Sequence, residues 1–340
     1  MEFKLITTFE AMDLLSVPWN ALLEESASHV PFLRHEYLRT WWQTLGGGEW
    51  KLADLLVVVA YESEKIVGIA PLFFSHNRQG EPALLLGGSI EVSDYLDVIA
   101  RQEDLPAFIE GLFNFLQSQD LPPWKVLDWY NILENSPTLP AMESAAARLG
   151  WTYSCDRLQH SPHILLPGNW EAYLAGIDKK QRHEIRRKMR RLEESGLAVR
   201  AYVVEDQATL EAEADAFMAL MAQGDPEKAA FLTPAMHEFM HGVIRCAFAA
   251  ECLQLAFLEI NGEKAAAYLN FDYLNRIWVY NSGLDRKFTE YSPGWVLLGY
   301  LLKWANERQA IEFDFMRGDE DYKYRFGAVD RFVVRASVRR

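Results

Sequence analysis

The sequence predicts an α/β (α+β) protein of two tandem lobes, each a mixed, mostly antiparallel sheet flanked by helices. Three observations predict it. Apolar hairpins of one design recur in the two halves; each half closes on a helix followed by a buried strand; and 340 residues, half of them apolar, exceed what one compact core comfortably holds.

The first half opens with a short strand, Phe3–Thr7, then a helical pattern through Trp19 and Leu22. A second helix around Tyr37–Leu45 is stopped by Gly46-Gly47-Gly48. Leu55–Tyr61 and Ile66–Phe74 are apolar, β-branched runs joined by the polar turn Glu62-Ser63-Glu64-Lys65, which makes them a hairpin. A loop-rich stretch containing Gly87-Gly88 leads to a helix (Leu105–Gln117), a buried strand (Val126–Tyr130) and a helix (Leu139–Leu149) ended by Gly150.

The second half repeats this grammar. Leu253–Ile260 and Ala265–Tyr273 are two apolar runs joined by Asn261-Gly262-Glu263-Lys264, and Asn-Gly is a strong hairpin signal. Glu64-Lys65 and Glu263-Lys264 take matching places in the two hairpins, and Val126-Leu127-Asp128-Trp129 echoes Glu312-Phe313-Asp314-Phe315. These echoes point to an internal duplication with lobes at 1–160 and 161–340, divided where Pro162, Pro167 and Gly168 interrupt the pattern. Such an order leaves a ligand crevice where neighbouring strands part.

Composition narrows the function. The net charge of -14 disfavours DNA and anionic lipid as broad partners, because the summed field repels phosphate. No basic start followed by an apolar stretch and no membrane-length apolar run is found, so a cytoplasmic protein without membrane insertion is expected. Cys155, Cys246 and Cys252 are too few for a disulfide framework or a cysteine-rich zinc site.

Four stretches could carry chemistry. Between Lys179 and Arg191, eight of thirteen residues are Lys or Arg, on a helix capped by Asp178 and Gln181, striped by Ile185, Met189 and Leu192, and ended by Gly196. Its charges are either a solvated face or a grip on phosphates, for which arginine has bidentate geometry. Next comes Tyr280-Asn281-Ser282-Gly283, followed by Tyr291-Ser292-Pro293-Gly294-Trp295. Ser292 suits an N-cap and Pro293 the first helical position, while Gly294 lets a ligand approach the backbone. The buried helix they open presents free N–H groups suited to a pyrophosphate, unless the start is ordinary capping.

The third stretch, Phe313 to Phe326, runs from a strand ending at Asp314 into a turn crowded with Arg317, Asp319, Glu320, Asp321, Tyr322, Lys323 and Arg325. Loops at strand ends are where sites gather; a structural ion-pair network is the alternative. The fourth, His237-Glu238-Phe239-Met240-His241, matches the H-E-x-x-H zinc pattern in letters. Glu238 points away from the histidines and Glu259, the one downstream third ligand, sits in a hairpin strand, so no metal is expected.

The basic helix Lys179-x-x-Arg182…Arg186-Arg187, the Asn261-Gly262 hairpin, Ser282-Gly283, Ser292-Pro293-Gly294 and Phe313-Asp314-Phe315…Gly318-Asp319-Glu320-x-Tyr322-Lys323 together resemble the BioF2-like acetyltransferase domain of the GNAT superfamily, also seen in CelD-like proteins. That domain is similar to the FemABX aminoacyltransferases, whose fold is two GNAT lobes. The matching motifs span about residues 170–327, and the first half resembles the family in layout only.

The resemblance implies direct transfer of an acyl group from acyl-CoA, acetyl-CoA foremost, to an amine or hydroxyl on a small or sugar-linked, cell-envelope or polysaccharide-related acceptor, with no metal. It puts the pyrophosphate at Ser292, Pro293 and Gly294, although the usual R/Q-x-x-G-x-G/A loop is missing. Asn281, Ser282 and Gly283 would hold the thioester carbonyl, Asp314 or Glu320 would be the base, and Tyr322 the acid. Lys179, Arg182, Arg186, Arg317 and Lys323 would hold anionic groups. A FemABX-like enzyme would take its acyl group from aminoacyl-tRNA instead. A noncatalytic nucleotide- or sugar-binding module and a zinc hydrolase are the readings from other classes.

Overall fold

The computed structural model describes residues 1–46, 50, 53–88, 90–118 and 121–340, and the chain in it divides into two compact units. The first holds Met1–His160 and Arg331–Arg340, the second Ser161–Asp330. Of the three glycines expected to stop the second helix, Gly46 is its left-handed C-cap; Gly47 and Gly48 lie outside the described residues.

The first unit contains strands β1 (Glu2–Ile6), β2 (Asp54–Glu62), β3 (Lys65–His76), β4 (Pro82–Leu86), β5 (Ile99–Ala100), β6 (Val126–Leu133) and β7 (Thr152–His160). Its α-helices are α1 (Phe9–Asp13), α2 (Ser16–Glu25), α3 (His35–Leu45), α4 (Leu105–Ser118) and α5 (Thr138–Arg148). The sheet runs β1-β2-β3-β4-β6, then a strand at Phe332–Arg339, then β7. All neighbours are antiparallel except β4 and β6, which are parallel with Leu84 opposite Leu127. A parallel step needs a crossover, and α4 lies on it, burying Phe108, Ile109, Leu112 and Phe113 in the core with Val58, Leu84 and Trp129.

The second unit contains β8 (His163–Leu165), α6 (Trp170–Gly176), α7 (Lys179–Glu193), β9 (Val199–Val203), α8 (Leu210–Gly224), α9 (Pro226–Phe231) and α10 (Pro234–Ala249). It continues with β10 (Leu253–Ile260), β11 (Glu263–Tyr273), β12 (Arg276–Leu284), α11 (Pro293–Glu307), β13 (Glu312–Asp314) and α12 (Asp321–Arg325). Its sheet order is β8-β13-β12-β11-β10-β9, again antiparallel except for one parallel step, β12 to β13, crossed by α11. One face carries α6, α7 and α11, whose Leu174, Ile185, Leu192, Val296, Leu298 and Leu302 pack on Ala256, Leu258, Ile277 and Phe313.

The duplication is therefore visible in topology: β1 to β4 and β6 repeat as β9 to β12 and β13. Both hairpins have two-residue turns in the left-handed region, Ser63-Glu64 and Asn261-Gly262. Lys65 and Glu263 are the first residues after these turns, so the expected pairing of Glu64-Lys65 with Glu263-Lys264 is one residue out.

The second lobe was expected to run to residue 340, but the last strand, β14 (Phe332–Arg339), lies between β6 and β7 in the first unit. Arg335 on it makes a two-pronged bond to the buried Asp128 of β6, at 2.6 and 2.8 Å. Ser337 adds a bond of 2.9 Å to the same carboxylate.

Candidate functional site

Strands β12 and β13 pair over three rungs, ending at Trp278 opposite Asp314, and β12 then runs on to Leu284 paired with β11 but not with β13. Parallel strands that part in this way leave a crevice at their carboxyl ends. A β-bulge at the same level moves the register with β11 from Asn270–Val279 to Leu269–Asn281, skipping Tyr280.

The exposed edge of β12 is not left bare. The Ser282 N–H donates to Asn281 Oδ1 at 2.8 Å, and the Ser282 carbonyl accepts from Lys228 Nζ at 2.6 Å. Lys228 comes from α9 and also donates to Asn281 Oδ1 at 2.8 Å. Burial pushes its pKa down; Asp225 and Glu320 oppose that shift and Lys323 adds to it. Gly283, taken from the sequence as a donor contact, has another reason to be glycine. A Cβ there would fall 2.6 Å from the Leu220 carbonyl carbon and collide with the Met221 nitrogen, because α8 crosses β12 at backbone contact.

The turn after β13 is built around two buried polar side chains, Asp314 and Lys323. Asp314 is fully buried, and its Oδ1 accepts the N–H of Met316, a residue at φ 60°. That bond makes Asp314 a holder of the turn. Lys323, 2% exposed, donates to the carbonyls of Arg317 at 2.9 Å and Gly318 at 3.1 Å. It also pairs with Glu320 at 2.9 Å, so its charge is spent within the turn rather than offered to an anion. Arg317 is half-buried in the same turn.

Glu320 is exposed, and its charge reaches Lys228, Tyr268 and Tyr322. Tyr268 is opposite Ser282 in the β11–β12 ladder. Tyr322 packs edge-on against Phe315 at 6.0 Å. Burial raises the pKa of Tyr322 well above the ordinary tyrosine range, and the neighbouring Tyr268 and Glu320 raise it further. The structure thus gathers Asn281, Ser282, Glu320 and Tyr322 at one strand end, together with Lys228 and Tyr268, which sequence reasoning missed.

The start of α11 is unusual. Ser292 occupies the N-cap position in a left-handed conformation, φ 52° and ψ 52°, and its side chain makes no capping bond. Pro293 has no N–H, and the N–H groups of Gly294 and Trp295 find no backbone acceptor; the first return bond is Val296 to Ser292 at 3.0 Å. A Cβ on Gly294 would meet only Leu284 Cδ2, at 3.7 Å. The helix start is half-buried, and it carries two N–H groups without a backbone acceptor at the positive end of the helix dipole.

Helix α7 has the expected cap and stripe: Asp178 accepts from Lys180 and Gln181, and Ile185, Met189 and Leu192 are buried. Its arginines mostly face their own unit. Arg182 donates to the Leu174 and Ala175 carbonyls at 3.3 and 3.4 Å, closing the end of α6. Arg186 pairs with Glu171 on α6, and Arg187 with Glu184 at 2.8 Å. Lys179 is exposed at the first turn. The basic residue beside the start of α11 is Lys188, whose Nζ lies 4.0 Å from the centre of the Trp295 ring. The same ammonium lies 3.5 Å from Glu184, and its place over the ring is not revealed by the sequence pattern alone.

The zinc-like letters on α10 are occupied otherwise. His241 Nδ1 lies 2.9 Å from Glu211 and Nε2 lies 2.9 Å from Asp215, both on α8. His237 is exposed. No cluster of His, Cys, Asp and Glu suited to a metal occurs among the described residues. Nor is any described helix long and apolar enough to cross a membrane. The cysteines Cys155, Cys246 and Cys252 are unbridged.

In the first unit the corresponding gap is closed. Past the last rung of β4 and β6, Asn131 Nδ2 donates to the Ile90 and Ser93 carbonyls at 3.1 and 3.0 Å, and Val92, Tyr95, Leu96 and Val98 are buried. The chain's own segment 90–98 fills the space that the second unit leaves open. The crossover helix α4 also begins after Glu103-Asp104, acidic residues that oppose an anion at its start.

Residues 179–324, from α7 to α12, match the family described as acetyltransferase (GNAT) domain. No curated protein sequence matches the chain. Among solved structures, FemX is similar with a TM-score of 0.66 at 12% identity, over 99% of this chain and 97% of that one. The C-terminal domain of a putative lysylphosphatidylglycerol synthetase from Agrobacterium fabrum gives 0.57 at 10% identity, over 97% and 92%. L-PGS from Bacillus licheniformis gives 0.56 at 14% identity, over 98% and 92%. At these identities the likeness is one of fold.

Proposed function

We propose that this chain, whose residues 179–324 match the acetyltransferase (GNAT) domain family, transfers an acyl group from acyl-CoA, acetyl-CoA foremost, to an amine or hydroxyl of a small or sugar-linked acceptor. The observation that carries the reading is the start of α11, where Ser292 makes no capping bond and the Gly294 and Trp295 N–H groups have no backbone acceptor among the described residues. A pyrophosphate fits such a place. Lys188, over the Trp295 ring and 3.5 Å from Glu184, is the positive charge next to it, while Arg182 and Arg186 are engaged with α6. The first unit carries no second donor site in this reading, because segment 90–98 fills its gap.

Transfer then follows the elementary demands of acyl chemistry. The acceptor nitrogen or oxygen attacks the thioester carbonyl, its proton passes to Glu320, the carbon–sulfur bond breaks, and the thiolate takes a proton from Tyr322. Tyr322 suits the acid role because burial keeps its phenol protonated through the neutral range. Glu320 is the base of choice over Asp314, since it is exposed at the strand end while Asp314 is sealed beneath the turn. Asn281 and Ser282 line the donor's path along β12, and Gly283 supports them by letting α8 approach.

A second reading, with aminoacyl-tRNA as donor, is favoured by the likeness of the whole chain to FemX. The exposed Lys179, Lys180, Arg190 and Arg191 of α7 would then meet a larger anion. Thermal shift separates the two. Acetyl-CoA raising the melting temperature while aminoacyl-tRNA does not supports CoA; the reverse overturns it in favour of tRNA.

A further inference from the structure

Strand β12 loses its β13 neighbour after Trp278, yet the Ser282 peptide beyond that point has both its N–H and its carbonyl satisfied. Backbone groups at a half-buried strand edge require partners. The Asn281 side chain supplies the acceptor and Lys228 the donor, and Lys228 also holds Asn281 in place at 2.8 Å. Each interaction depends on the others. Without the ammonium, the Ser282 carbonyl and the Asn281 amide oxygen lose a charged donor together.

We propose that Lys228 is a positioning residue of the transfer site: with Asn281 it stands in for the strand that β13 does not supply, and so fixes the edge of β12 along which the acyl donor lies. The proposal deepens the acyl-CoA reading and rests on it. Lys228 reaches the site from α9, a helix that no sequence motif marked, and acts through Asn281 and Ser282 rather than on the donor itself. The charged groups that face it are Asp225 at the start of α9, and Glu320 and Lys323 across the crevice mouth. Its surroundings lower its pKa, so the ammonium is lost at a lower pH than an exposed lysine would lose it. An arginine in its place stays charged throughout that range and still offers several N–H donors.

The test compares the full chain with Lys228→Met and Lys228→Arg, measuring acetyl-CoA affinity by calorimetry at about pH 7. Lys228→Met should weaken binding about tenfold or more, and Lys228→Arg should return it to within about threefold. Equal or tighter binding by Lys228→Met overturns the proposal. Absence of wild-type acetyl-CoA binding would remove the donor reading alone. Amide exchange of Ser282 by NMR then decides the role of Lys228: about tenfold faster exchange in Lys228→Met than in wild type and Lys228→Arg supports it, and equal exchange in all three overturns it.

Discussion

Lys323 and Glu320 form an ion pair of 2.9 Å in which the lysine side chain is 3% exposed and the glutamate 58%. The two partners therefore carry different energies. Lys323→Met would leave the Arg317 and Gly318 carbonyls without their donor, at a cost of about 3 kcal/mol. Glu320→Gln should cost less than about 1 kcal/mol, because water takes over an exposed partner. Urea unfolding of both variants checks this, and equal losses would show that the turn does not depend on Lys323. Acyl transfer should respond the other way, with Glu320→Gln impairing the step while binding persists.

Two glycines near the crevice should behave oppositely. Gly283→Ala drives a methyl group into the α8 backbone and should destabilise by roughly 1–3 kcal/mol or prevent folding. At Gly294 an added Cβ makes only an ordinary contact with Leu284 Cδ2, so Gly294→Val should fold with a nearly unchanged melting temperature, since valine is no worse than glycine in a helix. It should lose acetyl-CoA binding. Retained affinity in folded Gly294→Val would remove the pyrophosphate from the start of α11.

On α7, Lys188→Ala should weaken acetyl-CoA binding about tenfold by removing the charge above Trp295. Arg182→Ala and Arg186→Ala, whose partners are on α6, should change affinity by less than about twofold. Calorimetry on the three variants decides it. A larger loss in Arg186→Ala than in Lys188→Ala would bring back the arginine grip on phosphate.

The buried tyrosines set an alkaline limit. Tyr268 and Tyr322 have folded pKa values raised above the ordinary value near 10, chiefly by burial. Above about pH 10 the unfolded chain releases phenolic protons that the folded chain keeps, so stability present below that pH is lost as pH rises. Tyr268→Phe should flatten this loss, and phenolate absorbance should appear in the same step as unfolding. Ionisation of all tyrosines in the folded chain near pH 10 would contradict it.

Periodicity made the hairpins, the buried strands at Asp128 and Asp314 and the docked helix α7 readable, because each has a local pattern that burial enforces. Helix α9 and Lys228 were not readable, since a single lysine in a six-residue helix carries no pattern and its partners Asn281 and Ser282 are far along the chain. The same reason hid Lys188: its role comes from stacking on Trp295, a relation set by how α7 and α11 pack. Ser292 and Gly283 owe their places in the structure to causes other than those the sequence suggests. Ser292 looks like a capping residue in sequence but leaves the cap unmade, and Gly283 is small for α8 rather than for a ligand.

Strand β14 sits inside the first unit's sheet, between β6 and β7, while the 170 residues of the second unit intervene in sequence. During synthesis the first 160 residues emerge with a slot between two of their strands that only residues translated much later can fill. The second unit, contiguous from 161 to 330, can close its own sheet first. The half of the molecule made earliest is thus the half that finishes last, since β6 and β7 each lack a neighbour until β14 is made.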